Sequence, residues 1–217
     1  MGGYYTVKQG DYVPGIAWRS GFSDFLTIWN HPNNTELKNQ RQNPNVLLPG
    51  DSLYIPELQQ GMYSRPTDKT HKFVTNRKPL ELCLFLRDQY EKPIANAPCT
   101  LTVDSQSYQL TSDGNGKLEL LIPPSAGESR LVIQDTEQTP YGNTVIPIKI
   151  GYLDPVDEVS GQRARLTNLG YFVGDIDGTG GPEFETAVEE FQCEHSLTVD
   201  GICGPQTQAK LKQVHGC

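Results

Sequence analysis

The side chains best suited to chemistry in this sequence are four histidines (His31, His71, His195, His215) and five cysteines (Cys83, Cys99, Cys193, Cys203, Cys217). No histidine stands in an HExxH or HxH spacing and no CxxC pair occurs, so a zinc site, which draws on such closely spaced ligands, is not expected. Cys193 and His195 lie two residues apart in a helical pattern, which directs them to different faces and argues against a nucleophile–base dyad. Glu183, Glu185, Glu189 and Glu190 offer the carboxylates that glycoside hydrolysis needs, but paired carboxylates along a helix are more often a solvated face. GxSxG, Walker and dinucleotide loops do not occur. Asp104, Asp113 and Asp135 sit in turn contexts and read as turn formers, not calcium ligands. The residues therefore predict no enzyme, no cofactor and no metal. An odd number of cysteines rules out a complete disulfide framework. Cys83 is expected as a small buried hydrophobe; one bridge among Cys193, Cys203 and Cys217 stays open, with reduced thiols as the default.

Charge and hydropathy narrow the partners. A formal net charge of -8 opposes nucleic acid phosphates, and no lysine–arginine cluster offsets it. The same charge would repel wall polyanions, so wall binding should use neutral sugar and peptide groups. No apolar run approaches the roughly 20 residues of a membrane span, so membrane insertion is not expected. Met1 to Tyr5 lack the charged and apolar regions of a Sec leader. Either a leader has been removed or the protein leaves the cytoplasm by another route.

The elements that would carry these residues fall into three groups. In residues 4 to 58, Tyr5-Thr6-Val7-Lys8 alternates as a strand and Gln9-Gly10-Asp11 turns. Gly15 to Trp18 then forms a short helix ended by Gly21. Ser23 can cap a second helix that carries Phe25, Ile28 and Trp29 and stops at Pro32. Leu53-Tyr54-Ile55 returns as a strand after Pro49-Gly50-Asp51, giving the order β, α, α, β. In residues 69 to 150, period-two runs at Glu81–Arg87, Leu101/Val103, Leu118/Leu120/Ile122, Leu131/Ile133 and Ile146/Ile148/Ile150 are separated by turn signals, the pattern of an antiparallel sandwich; Pro147 marks an edge strand. In residues 155 to 215 a unit repeats: Asp177-Gly178-Thr179-Gly180-Gly181-Pro182 and Asp200-Gly201-Ile202-Cys203-Gly204-Pro205 are each a tight turn launching a helix. Phe184, Ala187, Val188 and Phe191 make one apolar helix face, Ala209, Leu211 and Val214 another, and an earlier helix that Ser160 can cap turns Leu166 and Leu169 inward. The predicted fold class is multidomain α+β.

Three resemblances attach to these segments. Tyr5-Thr6-Val7-Lys8-Gln9-Gly10-Asp11, Gly15-Ile16-Ala17, Gly21 and Leu48-Pro49-Gly50-Asp51-Ser52-Leu53-Tyr54-Ile55-Pro56 resemble the LysM family, a βααβ module. The resemblance implies a shallow site for N-acetylglucosamine-containing glycans between Gly10, Asp11, Tyr12, Val13 and Asn45, Val46, Leu47, Leu48. Tyr12 and Val13 depart from the family's Thr-Leu pair, and the segment from His31 to Asn43 is longer than usual. The run Leu86-Arg87-Asp88 … Lys92 to Pro98, with Thr111 to Gly116, resembles transthyretin-like and carboxypeptidase-regulatory-like β-sandwiches, which implies a spacer or docking surface. Ser160 to Leu166, Leu169-Gly170-Tyr171, Ala187 to Gln192 and the doubled Asp-Gly…Gly-Pro turns resemble the type 1 peptidoglycan-binding domain of three helices. That implies wall peptide or glycan as ligand, with Tyr171, Phe172 and Asp177 as contacts. Phe184 stands where the first repeat normally has Thr, so helix capping is expected to be weaker there than at Thr207.

Together these imply a non-catalytic peptidoglycan-binding protein acting in the periplasm or cell envelope. A second reading is an adaptor of a contractile injection apparatus, type VI secretion or a phage-like tail, that docks on spike, tube or effector proteins. Residues 151 to 161 resemble linkers in peptidoglycan-binding proteins of type VI loci.

Overall fold

The structure is a computed structural model that describes residues 2–59, 64–72, 78–88, 90, 92–134, 143–174 and 180–217. Asp135 and Asp177, both singled out above, lie outside the described residues. Apolar side chains gather in three separate clusters, one for each group of elements.

In the first group β1 (Gly3–Thr6) pairs antiparallel with β2 (Ser52–Ile55), with Tyr5 opposite Leu53. Between them run α1 (Val13–Arg19), α2 (Leu26–Trp29), a 3-10 turn at Pro32–Asn34 and α3 (Thr35–Arg41). Val7, Val13, Ile16, Ile28, Trp29 and Leu53 fill the core. The expected first strand at Tyr5–Lys8 ends at Thr6, because the Lys8 amide is drawn to Asp11 Oδ2 (2.9 Å) and the Val7 carbonyl accepts from the Gly50 amide (2.9 Å), one residue out of the β1–β2 register. Ser23 does not cap α2: Asp24 Oδ1 accepts from the Leu26 amide (3.0 Å) instead.

The helix α3 was not expected. Proline 32 cannot continue α2, yet its fixed φ suits the first position of a new turn, so the chain restarts instead of unravelling. The buried Asn34 fastens this insert. Its amide donates to the carbonyls of Ile28 and Tyr54 (both 2.8 Å) and its oxygen accepts from the Tyr54 amide (2.7 Å). At its far end α3 delivers Arg41, which forks onto both oxygens of Asp51 (2.8 and 2.9 Å). Asp51 Oδ2 also accepts from the Leu48 amide (2.9 Å), so the 48–51 turn is stapled to α3, and the neighbouring carboxylate holds the guanidinium above its ordinary pKa.

The second group holds two antiparallel sheets on one shared core. β3 (Leu80–Phe85) pairs with β6 (Lys117–Ile122). β4 (Pro98–Val103), β5 (Gln106–Thr111), β7 (Glu128–Ile133) and β8 (Thr144–Lys149) lie in the order β5-β4-β7-β8. Pro147 is on the edge strand β8, where a missing N–H costs no ladder bond. Asp113 acts as a turn former, its Oδ1 accepting from the amides of Asn115 and Lys117 (both 2.8 Å). Cys83 is a correction. It is exposed opposite Glu119, since the period-two pleat that turns Leu82 and Leu84 inward must turn Cys83 and Phe85 outward.

The third group is α4 (Val159–Asn168), α5 (Pro182–Glu194) and α6 (Pro205–His215) around Val156, Leu166, Phe184, Val188, Phe191 and Leu211. Ser160 lies inside α4, not at its cap, and its hydroxyl donates to Asp154 Oδ2 (2.7 Å). On α6 the inward stripe is Thr207 and Leu211, i and i+4, while Ala209 and Val214 face water. The expected difference in capping between the repeats is not seen. Both α5 and α6 start from a glycine with no side-chain cap, with Pro at the first turn; Phe184 fills the core and Thr207 serves Gln192.

Candidate functional site

The second Asp-Gly turn is built around one buried amide. Gln192, near the end of α5, accepts with Oε1 from the backbone amides of Asp200 (2.9 Å) and Gly201 (3.1 Å). Its Nε2 faces Asp200 Oδ1 (2.8 Å), the Ile202 carbonyl (3.0 Å) and Thr207 Oγ1 (3.1 Å). Asp200 Oδ1 also accepts from the Ile202 amide (2.9 Å), and that bond first, with Gln192 second, holds the carboxyl below the usual range. The turn is therefore a fixed loop that leaves Val199 and Ile202 exposed beside the start of α6.

The opposite side of the unit is fastened by α4, whose buried face is unusually polar. Gln162 donates to the Val156 carbonyl (2.9 Å) and Arg163 to the Val173 carbonyl (2.7 Å). Arg165, fully buried, donates from Nη1 to the carbonyls of Asp154 and Gly161 (both 2.8 Å) and from Nε to that of Cys217 (2.9 Å). Each long side chain thus secures a flanking loop by its backbone. Burial lowers the Arg165 pKa from its ordinary value.

Residues 155–211 match the family model of a putative peptidoglycan binding domain. The match covers the unit just described and no other part of the chain. Among curated relatives, the chain is 42% identical over 55 residues to N-acetylmuramoyl-L-alanine amidase CwlM of Mycobacterium tuberculosis, which is 25% of this chain and 14% of that protein. It is 39% identical over 57 residues to the spore cortex-lytic enzyme of Halalkalibacterium halodurans, 26% of this chain and 17% of that one. It is 44% identical over 59 residues to a protein of the bpoA1 3' region of Kitasatospora aureofaciens, 27% of this chain and 50% of that one. The chain thus spans half or less of the length of each of these relatives. No solved structure matches.

Within the matched domain, Phe172 is 75% exposed on the loop after α4. Tyr171 is half-buried, its ring edge-on to Phe191 (centroids 5.7 Å) and its hydroxyl bonded to Glu194. The eight candidates of the N-terminal group behave differently. The Val13 amide donates to the Pro44 carbonyl (2.9 Å), which precedes the 45–48 segment. Asp11 is buried and spent on internal bonds from the Tyr5 hydroxyl (2.7 Å), the Lys8 amide (2.9 Å) and Arg19. Tyr12, Val13, Val46 and Leu47 are buried, Gly10 and Leu48 half-buried, and Asn45 exposed. Tyr12, 4% exposed, leaves its own unit: its hydroxyl lies between the carbonyls of Ala126 (2.7 Å) and Pro124 (3.0 Å), and burial pushes its pKa up to about 12. Sequence reasoning had no signal for these distant partners.

One constellation at the end of α6 follows no sequence motif. His215 Nδ1 lies 3.1 Å from Cys217 Sγ, and His215 Nε2 lies 3.0 Å from Asn168 Nδ2. This is the order of nucleophile, base and orienting amide, but burial foremost, with Arg165 second, holds the imidazole down to about 4, and burial raises the thiol. At neutral pH the pair is uncharged and serves to pack the end of α6. All five cysteines are free thiols. Cys203 and Cys217 flank α6, whose eleven residues rise about 16 Å, beyond the reach of a disulfide. Among the described residues no three His, Cys, Asp or Glu side chains are placed to hold a metal ion, and no helix is long and apolar enough to cross a membrane.

The depressed histidine gives a pH dependence with a definite sign. Unfolded, His215 takes a proton near 6.5; folded, near 4, so folding excludes the proton between those values. Its contribution is complete above about pH 6.5 and is lost as pH falls through about 4, up to about 3 kcal/mol. Calorimetric melts should show the C-terminal transition falling between pH 7 and pH 4. His215→Gln should flatten the upper part of that slope, between pH 7 and 5.

Proposed function

We propose that the chain is a non-catalytic peptidoglycan-binding protein whose C-terminal unit carries the wall contact. The match of residues 155–211 to a peptidoglycan-binding family, on a unit with its own core and a stapled turn, is the observation that supports this most. In this reading the modules are residues 4–58, LysM-like; 69–150, a transthyretin-like sandwich acting as spacer; and 155–215, the peptidoglycan-binding three-helix module. Tyr171, Phe172 and Asp177 are the C-terminal contacts, and Gly10 to Val13 with Asn45 to Leu48 the N-terminal glycan residues. The place of action is the periplasm or cell envelope.

Purified sacculi should sediment the full chain, and retention should survive raised salt, because a protein of net charge -8 gains nothing from wall anions. Phe172→Ala, at an exposed site where folding is indifferent, should weaken retention about tenfold. Failure to sediment at low salt would sink the proposal.

The engagement of Tyr12 by the carbonyls of Pro124 and Ala126, protein groups in place of a sugar, favours a second reading for the N-terminal half. There the module makes protein contacts, as expected of an adaptor in a contractile injection apparatus, of type VI or phage-tail kind. Co-purification of spike, tube or effector proteins with the native chain would support it; recovery of wall material alone would set it aside.

A further inference from the structure

The three apolar clusters are separate, yet one seam joins their units. Tyr12 reaches the 124–126 turn of the middle unit. From the other side the segment that leads into α4 presses on the same place: a Cβ added at Gly151 would meet Tyr12 Cδ1 at 2.3 Å and the Gly10 carbonyl at 2.8 Å. A Cβ at Gly10 would in turn meet the Tyr152 ring at 2.7 Å. Gly151 has φ +83, so its place in the seam is open to glycine on both conformational and steric grounds. The rim is polar and weak: Gln9 to Asp154 (3.4 Å), Lys78 to Asp24 (3.2 Å) and Arg41 to Asp157 (3.9 Å) all involve exposed partners. A contact with a tight centre and a weak border is one that can open.

We propose that this seam is an intramolecular latch that covers Gly10 and Tyr12, so that a glycan reaches the N-terminal unit only after the seam has opened. The inference rests on the N-terminal half of the glycan reading above and adds its control. In the closed state Tyr12 hydrogen-bonds to chain carbonyls and Tyr152 covers Gly10, so a sugar would have to displace both. A site that is competent only in a minor open state binds more weakly by the fraction of time it is open, and widening that fraction tightens binding by the same factor.

Gly151→Ala opens the latch by crowding Tyr12 while replacing no residue of the N-terminal unit; Tyr152→Ala, at an exposed position, releases the other side and guards against a single misfolded variant. Opening is read independently of sugar. Trp18 lines the seam beside Pro124 and Lys78, while Trp29 is buried within the N-terminal core, so a red shift of tryptophan emission reports release, and small-angle scattering should show a larger radius. The sugar probe is the hexamer of N-acetylglucosamine, titrated by calorimetry. The expected result is release in both variants with hexamer affinity at least tenfold above that of the parent chain. A parent chain that binds the hexamer as tightly as the released variants would overturn the latch while leaving the glycan reading intact. Release with no hexamer binding in any chain would overturn the glycan reading and the gating with it. Two well-folded variants that show no release would overturn the latch itself.

Discussion

Gly161→Ala should destabilise the C-terminal unit by about 2–4 kcal/mol, although helix propensity alone favours alanine over glycine by about 1 kcal/mol. The site lies in the first turns of α4, where an added Cβ would stand 2.0 Å from the Pro155 carbonyl oxygen and 2.5 Å from that of Asp154. Those are backbone atoms, and they cannot step aside singly: Arg165 holds the Asp154 carbonyl and, through the same Nη1, the carbonyl of Gly161. The segment must move as a whole, and with it Val156, which belongs to the core. Differential scanning calorimetry of the full chain would show the C-terminal transition several degrees lower. A transition unchanged or raised would mean that the 154–156 segment yields freely, contrary to the close packing seen here.

Gln192→Leu should cost the same unit about 2–3 kcal/mol despite the near-equal volume of the two side chains. The substitution takes away the acceptor shared by the Asp200 and Gly201 amides and the donor that Asp200, Ile202 and Thr207 share. Gln192→Glu is the sharper comparison. It keeps the acceptor for the two amides but sets a carboxylate where an amide nitrogen now lies 2.8 Å from Asp200 Oδ1. At neutral pH it should be the worse of the two, recovering as pH falls and one carboxyl takes a proton. Hydrogen exchange of the α6 amides would measure both. Equal protection in the parent and both variants would remove Gln192 from the account.

How much of this could be read from residues alone depended on whether a role was local. The doubled Asp-Gly…Gly-Pro spacing marked the starts of α5 and α6, because turn and helix-start preferences act within a few residues. The strands of the middle unit followed from period-two runs, and Pro147 was placed on an edge for a reason internal to its own backbone. Several of the missed features needed a partner farther along the chain, and others turned on which of two neighbouring side chains was better placed. Helix α3 escaped because Thr35 to Arg41 has only one buried residue, Leu37, and therefore no apolar stripe; what keeps it helical is Asn34 below and Asp51 above. Ser23 and Ser160 had the right chemistry for caps, but a neighbouring aspartate was better placed in each case, as acceptor at Asp24 and as partner of the hydroxyl at Asp154. Five of the eight N-terminal candidates are buried, Val13 and Leu47 in their own unit's core, and the placing of Tyr12 against the 124–126 turn depends on contacts more than a hundred residues distant, for which no periodicity exists.

Residues 151 to 157 are shared: Gly151 leans on Tyr12, Tyr152 on Gly10, the Asp154 carbonyl is gripped by Arg165, and Val156 is core to the last three helices. Were the C-terminal helices anchored to a rigid polymer and the first strand tugged, the tension would run through these few residues in series. Extension would start by peeling Tyr12 from its carbonyls, before any strand ladder had to shear, so the molecule should lengthen in a small, reversible first step under load.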